Sequence, residues 1–218
     1  MTQRKEYDHG LMEVRASLVA MGEKVQWALD EAIEALKTLN VERAEEVITR
    51  DKEINQLELH VEEKCANLIL KQQPVAKDLR TILAALRIAS DLERMGDLSV
   101  DIARVVLRLE GQTLIKPLLD LPRMADTVRK MTRDALIAFV KEDVVLAEEM
   151  AHEDDTVDGL FGQILRELFS IMIDQPRTVG QAMQLCFVGR YIERIADHAT
   201  NIGESVIFMV KNQHKELN

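Results

Sequence analysis

The sequence predicts an all-α fold made of two repeated, antiparallel three-helix bundles related by pseudo-two-fold symmetry. The 218 residues include only nine glycines and four prolines, too few for the many turns of a sheet-rich fold. Hydrophobic residues make up 47% of the chain and aromatic residues 4%, a composition typical of a helical bundle with a sizeable core. An internal repeat then sets the number of bundles.

The second half of the chain repeats the first. Residues 21–54 align with 124–157 without a gap, and "AEE" recurs at 44–46 and 147–149. Farther along, "DLERMGD" at 91–97 aligns with "YIERIAD" at 191–197. Matching residues and motifs in one order indicate a duplicated structural unit. We therefore predict a first repeat over residues 1–112 and a second over 113–218.

Each repeat shows the periodicity of three helices in succession. The predicted pairs are 8–38 with 121–141, 41–72 with 144–174, and a third pair that ends near residues 110 and 212. Asn40 and Asp143 occupy equivalent positions and suit the N-caps of the second helices. Pro74 and Pro176 suit the first turns of the third helices, where a proline loses no needed N–H. Connections within a repeat are short, so consecutive helices should pack antiparallel. The segment "EGQTLIKPLLDLP" at 110–122 is the predicted link between repeats.

The third helix of each repeat carries acids on one face. Glu93, Asp97 and Asp101 are spaced i, i+4, i+8, which stacks them along one side of a helix at a cost of roughly 0.2–0.5 kcal/mol per pair. In the second repeat Glu193 and Asp197 share a face with Asn201. The apolar residues lie on the opposite side of both helices. We therefore expect both acidic faces to point away from the core.

The second helix of the first repeat adds a matching stripe. Asp51, Asn55, Glu58 and Glu62 follow one line along it, and this line should meet Glu93 and Asp97 if the two helices pack side by side. The equivalent positions of the second repeat hold Asp154, Asp158, Phe161 and Leu165. The second repeat is thus poorer in ligands, and two sites, if both exist, should differ.

Several roles fit such acids. Arg94 and Arg190 each lie three residues from acids of one motif. Ion pairs at that spacing would make the acids part of an ordinary solvated charged surface. Clustered carboxylates on rigid helices are also a hard-ligand site for Fe, Mn, Mg or Ca, and less so for Zn. A basic surface of a partner protein is a third candidate. A ferritin-like di-iron enzyme or iron store is the alternative from another class, since Glu149-x-x-His152 has the required spacing. The first repeat has no counterpart of that histidine, and no catalytic constellation is recognisable, so we expect a protein that is not an enzyme.

Net charge and hydropathy limit the partners and the cellular compartment that we expect for this protein. The formal net charge of −10 disfavours nucleic acid as a partner. The sequence has no apolar run of 18 residues, so it predicts no bilayer span. The N-terminal "MTQRKEYDHG" lacks the apolar stretch of a secretory signal. We expect a cytoplasmic protein that reaches a membrane only through its partners.

The duplicated layout and the motif pair "RIASDLERMGDLSVDIAR" and "GRYIERIADHATNIGES" resemble the PhoU family of phosphate-transport regulators, over about residues 6–212. The resemblance implies a cytoplasmic negative regulator of high-affinity phosphate uptake and of the phosphate-starvation response. It implies two partners, the ATPase subunit of the phosphate ABC transporter and a phosphate sensor histidine kinase. A homodimer is expected as well, since the first and third helices carry enough apolar surface for self-association.

The family is also known for E(D)xxxD motifs that hold multinuclear metal clusters, iron among them. The resemblance places the first motif at Glu93 and Asp97, continued by Asp101, and the second at Glu193 and Asp197. Asn201 stands where the first repeat has Asp101, and a neutral amide is the weaker ligand. Iron is the metal the resemblance favours, with Mn, Mg, Ca and Zn as alternatives.

Overall fold

The computed structural model describes residues 2–217, and over that range the chain is helical without a β-strand. The elements are α1 (Thr2–Thr38), α2 (Val41–Gln72), α3 (Lys77–Arg108), α4 (Asp120–Lys141), α5 (Val144–Ala151), α6 (Asp154–Asp174), a 3₁₀ turn (Pro176–Thr178) and α7 (Val179–Lys211). Helices α1 to α3 form the first three-helix bundle, and the second consists of α4, α7 and the pair α5 and α6, which together correspond to α2. The predicted division at residues 112 and 113 stays a prediction.

The second helices begin where the predicted caps lie. Asn40 Oδ1 accepts a hydrogen bond from Arg43 N at 3.0 Å, and Asp143 Oδ1 accepts one from Leu146 N at 3.1 Å. Each cap gives a partner to a backbone N–H that the first turn leaves free. Glu142, just before the second cap, has a φ of 57°, which reverses the chain between α4 and α5. Both predicted N-caps are confirmed.

Three predicted boundaries differ from those observed. Pro74 lies outside α3, in residues 73–76, where Gln73 and Ala76 have positive φ and turn the chain before the helix begins. Pro176 opens the 3₁₀ turn that precedes α7. The predicted helix 144–174 is broken into α5 and α6 at His152 and Glu153, where i→i+3 hydrogen bonds replace the α-helical pattern. Acids at 153–155 favour a new helix start there, because carboxylates are stabilising at a helix N-terminus.

The apolar faces of α3 and α7 hold the two bundles together. Helix α3 packs along α7, and α1 also contacts α4. The predicted apolar residues of α3 and α7 lie in one core cluster that spans both repeats, and all but Tyr191, which is only partly buried, are fully buried: Ile88, Met95, Ile102, Val106, Ile195, Ile202, Val206 and Met209. Their acidic faces are therefore turned away from this core, as the sequence predicts.

Neighbouring helices position the acids. Helix α2 lies beside α3, and α6 lies beside α7, so each repeat has a surface groove between its second and third helices. Gly96 brings one groove together, because a Cβ at this position would lie 2.9 Å from Ile54 Cδ1 and 3.3 Å from Asp51 Oδ1. Among residues 2–217, no helix is both long and apolar enough to cross a membrane.

Candidate metal centres

The first acidic groove lies between α2 and α3 and consists of Asp51, Asn55, Glu58, Glu93 and Asp97. Asp51 and Asn55 are one turn apart on α2, and Asn55 Nδ2 donates a hydrogen bond to Asp51 Oδ2 at 3.3 Å. The Glu93 side chain is only 19% exposed, whereas Asp97 is 46% exposed. Asp51 and Glu58 of the predicted α2 stripe lie near the α3 acids, whereas Glu62 is exposed and outside the groove.

The carboxylates of this groove disfavour one another's charged forms. Burial raises the pKa of Asp51, and the charge of Asp97 raises it further. Burial and the Glu93 carboxylate raise the pKa of Glu58, while burial and Asp97 raise that of Glu93. Such shifts mark a site that holds more negative charge than the neighbouring positive groups neutralise.

Arginines compensate only part of this charge. Arg94 lies 3.6 Å from carboxylate oxygens of both Glu93 and Asp97, but its side chain is mostly exposed, and exposed ion pairs are weak. Asp101 does not join the cluster, because its Oδ1 accepts a hydrogen bond from Arg104 Nη1 at 2.9 Å. The predicted third member of the first motif is thus engaged by an arginine on its own helix.

The second acidic groove lies between α6 and α7 and consists of Asp154, Asp158, Glu193 and Asp197. Asp154 is only 8% exposed, and its burial, together with Asp158 and Asp197, raises its pKa to about 6. Burial and the Asp197 charge raise the pKa of Glu193, whose side chain is 12% exposed and paired with Arg190. This groove has fewer ligands than the first, and its burial is uneven, because Asp154 and Glu193 are largely covered whereas Asp158 is exposed.

Each groove leaves two buried oxygens without a donor. Asp51 Oδ1 and Asn55 Oδ1 in the first groove, and Asp154 Oδ1 and Glu193 Oε2 in the second, accept no hydrogen bond from residues 2–217. Buried acceptors normally have a partner, and hard cations bind carboxylate and amide oxygens. No three His, Cys, Asp or Glu side chains of the described chain lie close enough to hold one ion. The oxygen donors are of the kind that fits a hard cation. Because they do not lie close enough to hold one ion, binding requires side-chain rotation within a groove.

Other candidate residues lie elsewhere. Glu149 and His152 are both exposed, so this pair does not project into the bundle as a di-iron site requires. His198 Nδ1 lies 2.9 Å from Asp91 Oδ1, and Asn201 Nδ2 donates to the same oxygen at 3.3 Å. Sequence reasoning missed this cluster, because it joins α3 of one repeat to α7 of the other and no local spacing reveals it.

Together, the fold and the grooves define an all-helical protein of two three-helix repeats, each with an acidic groove on its surface. A family model described as the PhoU domain matches residues 18–106 and again residues 121–206. The chain belongs to the PhoU family, and the twofold match confirms the predicted repeat.

Similar proteins span almost the same length. A phosphate-specific transport system accessory protein PhoU homolog from Aquifex aeolicus is 42% identical over 209 residues, which cover 94% of this chain and 95% of that protein. The Escherichia coli protein of that name, PhoU, is 32% identical over 95% of this chain and 86% of its own.

Solved structures agree with the fold. The crystal structure of PhoU from Pseudomonas aeruginosa matches with a TM-score of 0.89 and 35% identity, covering 95% of this chain and all of that one. PhoU from Streptococcus pneumoniae, described as a phosphate transport system regulatory protein, matches with the same TM-score and 30% identity, covering 96% and 99%. The predicted all-α repeat fold is confirmed. The family is one of accessory and regulatory proteins, in agreement with the predicted absence of enzymatic activity.

Proposed function

We propose that this protein restrains high-affinity phosphate uptake and the phosphate-starvation response. It would act as an adaptor between the ATPase subunit of the phosphate ABC transporter and the phosphate sensor histidine kinase. The observation that carries the proposal is the match, over nearly the full length of both chains, to proteins named as phosphate-specific transport system accessory proteins. The proposal places the protein in the cytoplasm, as a homodimer that reaches the membrane through these partners.

The acidic grooves would be the cation-binding sites of this regulator. Glu93 and Asp97 would hold a cation in the first groove with Asp51, Asn55 and Glu58, and Asp101 would lie at its edge. Glu193 and Asp197 would hold another with Asp154 and Asp158. Iron is the proposed metal, with Mn, Mg, Ca and Zn as alternatives, and more than one ion in a groove would form a cluster. Support comes from the four donor-less buried oxygens and from the pKa values of Glu93 and Glu193, which burial and neighbouring carboxylates raise.

The adaptor role is tested by binding and by physiology. Purified protein is mixed with the transporter ATPase subunit and, separately, with the cytoplasmic part of the kinase, and the complexes are quantified by size-exclusion chromatography with light scattering. The same measurement on the protein alone gives its oligomeric state. In cells, deletion of the gene should switch on a phosphate-starvation reporter in phosphate-rich medium, and the wild-type gene should switch it off. Failure to bind either partner, together with an unchanged reporter, would refute the proposal.

The metal is tested independently of the partners. Protein purified without chelator is analysed for its elements, and the double variants Glu93→Gln/Asp97→Asn and Glu193→Gln/Asp197→Asn are compared with it. Each double variant should lose the metal of one groove and keep that of the other. Glu63→Gln, at an exposed position of α2 outside the groove, is the matched control and should keep both.

Elemental analysis also separates the metal-binding adaptor from a metal-free one. Wild-type protein that binds both partners but carries no metal, even after incubation with the candidate ions, would assign the acids to basic residues of a partner. In that case the double variants should weaken partner binding, and the weakening should be screened by salt. An unchanged metal content in both double variants would place the metal outside the grooves.

A further inference from the structure

A cavity lies where the two repeats meet, between α3 and α7, and is closed on one side by the segment after α7. We call it the seam cavity. Its volume is about 670 Å³, within the range of small-molecule sites in proteins. None of the acids of the two grooves lines it. The seam cavity is therefore separate from the candidate metal centres.

The seam cavity contains hydrogen-bond donors that no protein group uses. The Arg87 guanidinium lies over the Phe208 ring at 4.9 Å and pairs with no acid of residues 2–217. The hydroxyls of Ser90 and Ser205 likewise have no hydrogen-bond partner in the described chain, although Ser205 is only 5% exposed. The His214 ring stacks on Phe208 at a centroid distance of 4.8 Å and leaves its nitrogens free. A cation, two hydroxyls and an imidazole around one space form a donor set suited to an oxyanion.

Two of the three acids that line the same cavity each have one carboxylate oxygen hydrogen-bonded within the protein. Asp91 accepts hydrogen bonds from His198 and Asn201. Glu204 accepts one from Leu217 N at 3.0 Å. Lys215 donates to Glu148, at 2.9 Å. Glu216 has no partner among the described residues, but it stands on the exposed terminal segment. The donors left to meet a ligand inside the cavity are Arg87, Ser90, Ser205 and His214, and the remaining free oxygens of Asp91, Glu204 and Glu216 are acceptors that oppose an anion.

The repeat provides an internal comparison. The repeats are compared by aligning "DLERMGD" with "YIERIAD". The positions equivalent to Arg87, Ser90, Ser205 and Phe208 are then, in that order, Phe187, Arg190, Val105 and Arg108. Both repeats form the same helices with these different residues. The arginine and the phenylalanine thus recur with their positions exchanged, as Arg108 and Phe187, whereas the fold does not require the two serines, and their presence around a cavity calls for another reason.

We propose that the seam cavity binds a small tetrahedral oxyanion of the phosphate and sulfate class. Arg87 supplies the positive charge, and the hydroxyls of Ser90 and Ser205 donate hydrogen bonds to the anion. The chain's net charge of −10 opposes anion binding, since the field of the whole protein repels anions. Affinity in the millimolar range is therefore expected, on the order of 1 mM.

The test uses metal-free protein, so that a cation bound in a groove plays no part. Backbone amide shifts are followed by ¹H–¹⁵N NMR while inorganic phosphate, sulfate, acetate or chloride is added at constant ionic strength. Phosphate or sulfate should cause saturable shifts in residues 87–91 and 201–208, and acetate and chloride should not. Shifts that are linear in concentration or equal for all four anions would show unspecific screening and overturn the proposal.

Variants assign the donors. Arg87→Gln should weaken anion binding at least about tenfold, since a charge-assisted bond is among the strongest contacts available to an oxyanion. Ser90→Ala and Ser205→Ala should each weaken it by a smaller factor. Arg108→Gln, the same change at an arginine of the other face, at the position equivalent to Phe208, should leave it unchanged. Arg87 and Ser90 are exposed, so their variants should fold. An unchanged affinity in Arg87→Gln, or an equal loss in Arg108→Gln, would overturn the proposal without bearing on the metal or the partners.

Discussion

Replacement of Asp154 by asparagine should stabilise the metal-free protein at neutral pH. Asp154 is the most buried acid of the second groove, at 8% exposure, and one of its oxygens has no donor. Its carboxylate faces Asp158 and Asp197, and burial with these charges raises its pKa to about 6 from an ordinary value of 3.8. Folding therefore disfavours the charged form of this side chain.

The size and sign of the effect follow from linkage. Between pH about 4 and 6 the folded protein holds a proton on Asp154 that the unfolded chain releases, so the free energy of unfolding falls as the pH rises through this window. Above pH 6 the cost reaches roughly 3 kcal/mol, which is an upper limit because side chains relax. Asparagine has the same shape, carries no charge, and brings an N–H₂ that can donate to Asp158 or Asp197.

Thermal unfolding followed by circular dichroism, with chelator present and from pH 4 to 8, measures this effect. At about 2–4 °C per kcal/mol for a chain of this size, the variant should unfold up to about 12 °C above the wild type at pH 7. The difference should shrink to near zero at pH 4. Asp155→Asn, at the exposed neighbouring residue, should show no such pH-dependent gain. A variant less stable than wild type at pH 7, or a difference that does not change with pH, would refute the reasoning.

Three further predictions test the fold. Asn40→Ala and Asp143→Ala each remove an N-cap hydrogen bond and should each cost about 1 kcal/mol, measured by urea unfolding; an unchanged midpoint would show that the caps are replaceable by water. Gly22→Ala should destabilise the folded protein, because its Cβ would lie 2.1 Å from a methyl group of Leu136. Gly159→Ala, in open space on α6, should instead raise the free energy of unfolding by about 0.5–1 kcal/mol through its higher helix propensity. Glu142→Ala breaks bonds to Arg15 and Lys77 and should cost about 1–2 kcal/mol at pH 7. Hydrogen bonds from Lys77 and Arg15 lower the pKa of Glu142, so this cost should disappear as the pH falls through that lowered value.

The parts of the fold that could be predicted are those that local chemistry determines. The burial of Ile88 and Ile102 follows from a 3.6-residue period, and the helix starts after Asn40 and Asp143 follow from cap chemistry. The break at residues 152–153 was not predicted, because the helical period continues across it. The acids at 153–155 nevertheless carried a signal, since three successive carboxylates are better placed at a helix start than in its interior.

The candidate grooves could be predicted in part. Spacing alone placed Glu93 and Asp97 opposite the apolar stripe, but a helical wheel does not show what lies beside a helix. The neighbouring α2 and α6 leave Glu93 and Glu193 largely covered, whereas the sequence predicted only that these faces point away from the core and that the α2 stripe meets Glu93 and Asp97 if the two helices pack side by side. The pairing of Asp91 with His198 depends on the register of α3 against α7, which neither helix encodes by itself.

The two repeats show which residues the fold needs and which it does not. Asp51 and Asp154, Glu93 and Glu193, and Asp97 and Asp197 are acidic at equivalent positions, while the surrounding positions differ, as Glu58 and Phe161 do. Burial and the charges of neighbouring carboxylates raise the pKa values of Asp51, Asp154 and Asp197, so these acids make the apo protein less stable than uncharged residues would. A helical bundle needs no acid at these positions, since asparagine or glutamine would also be soluble there. The same destabilising arrangement on two copies of one scaffold is best explained by a cation that removes the cost when it binds, and the elemental analysis of the two double variants tests that explanation directly.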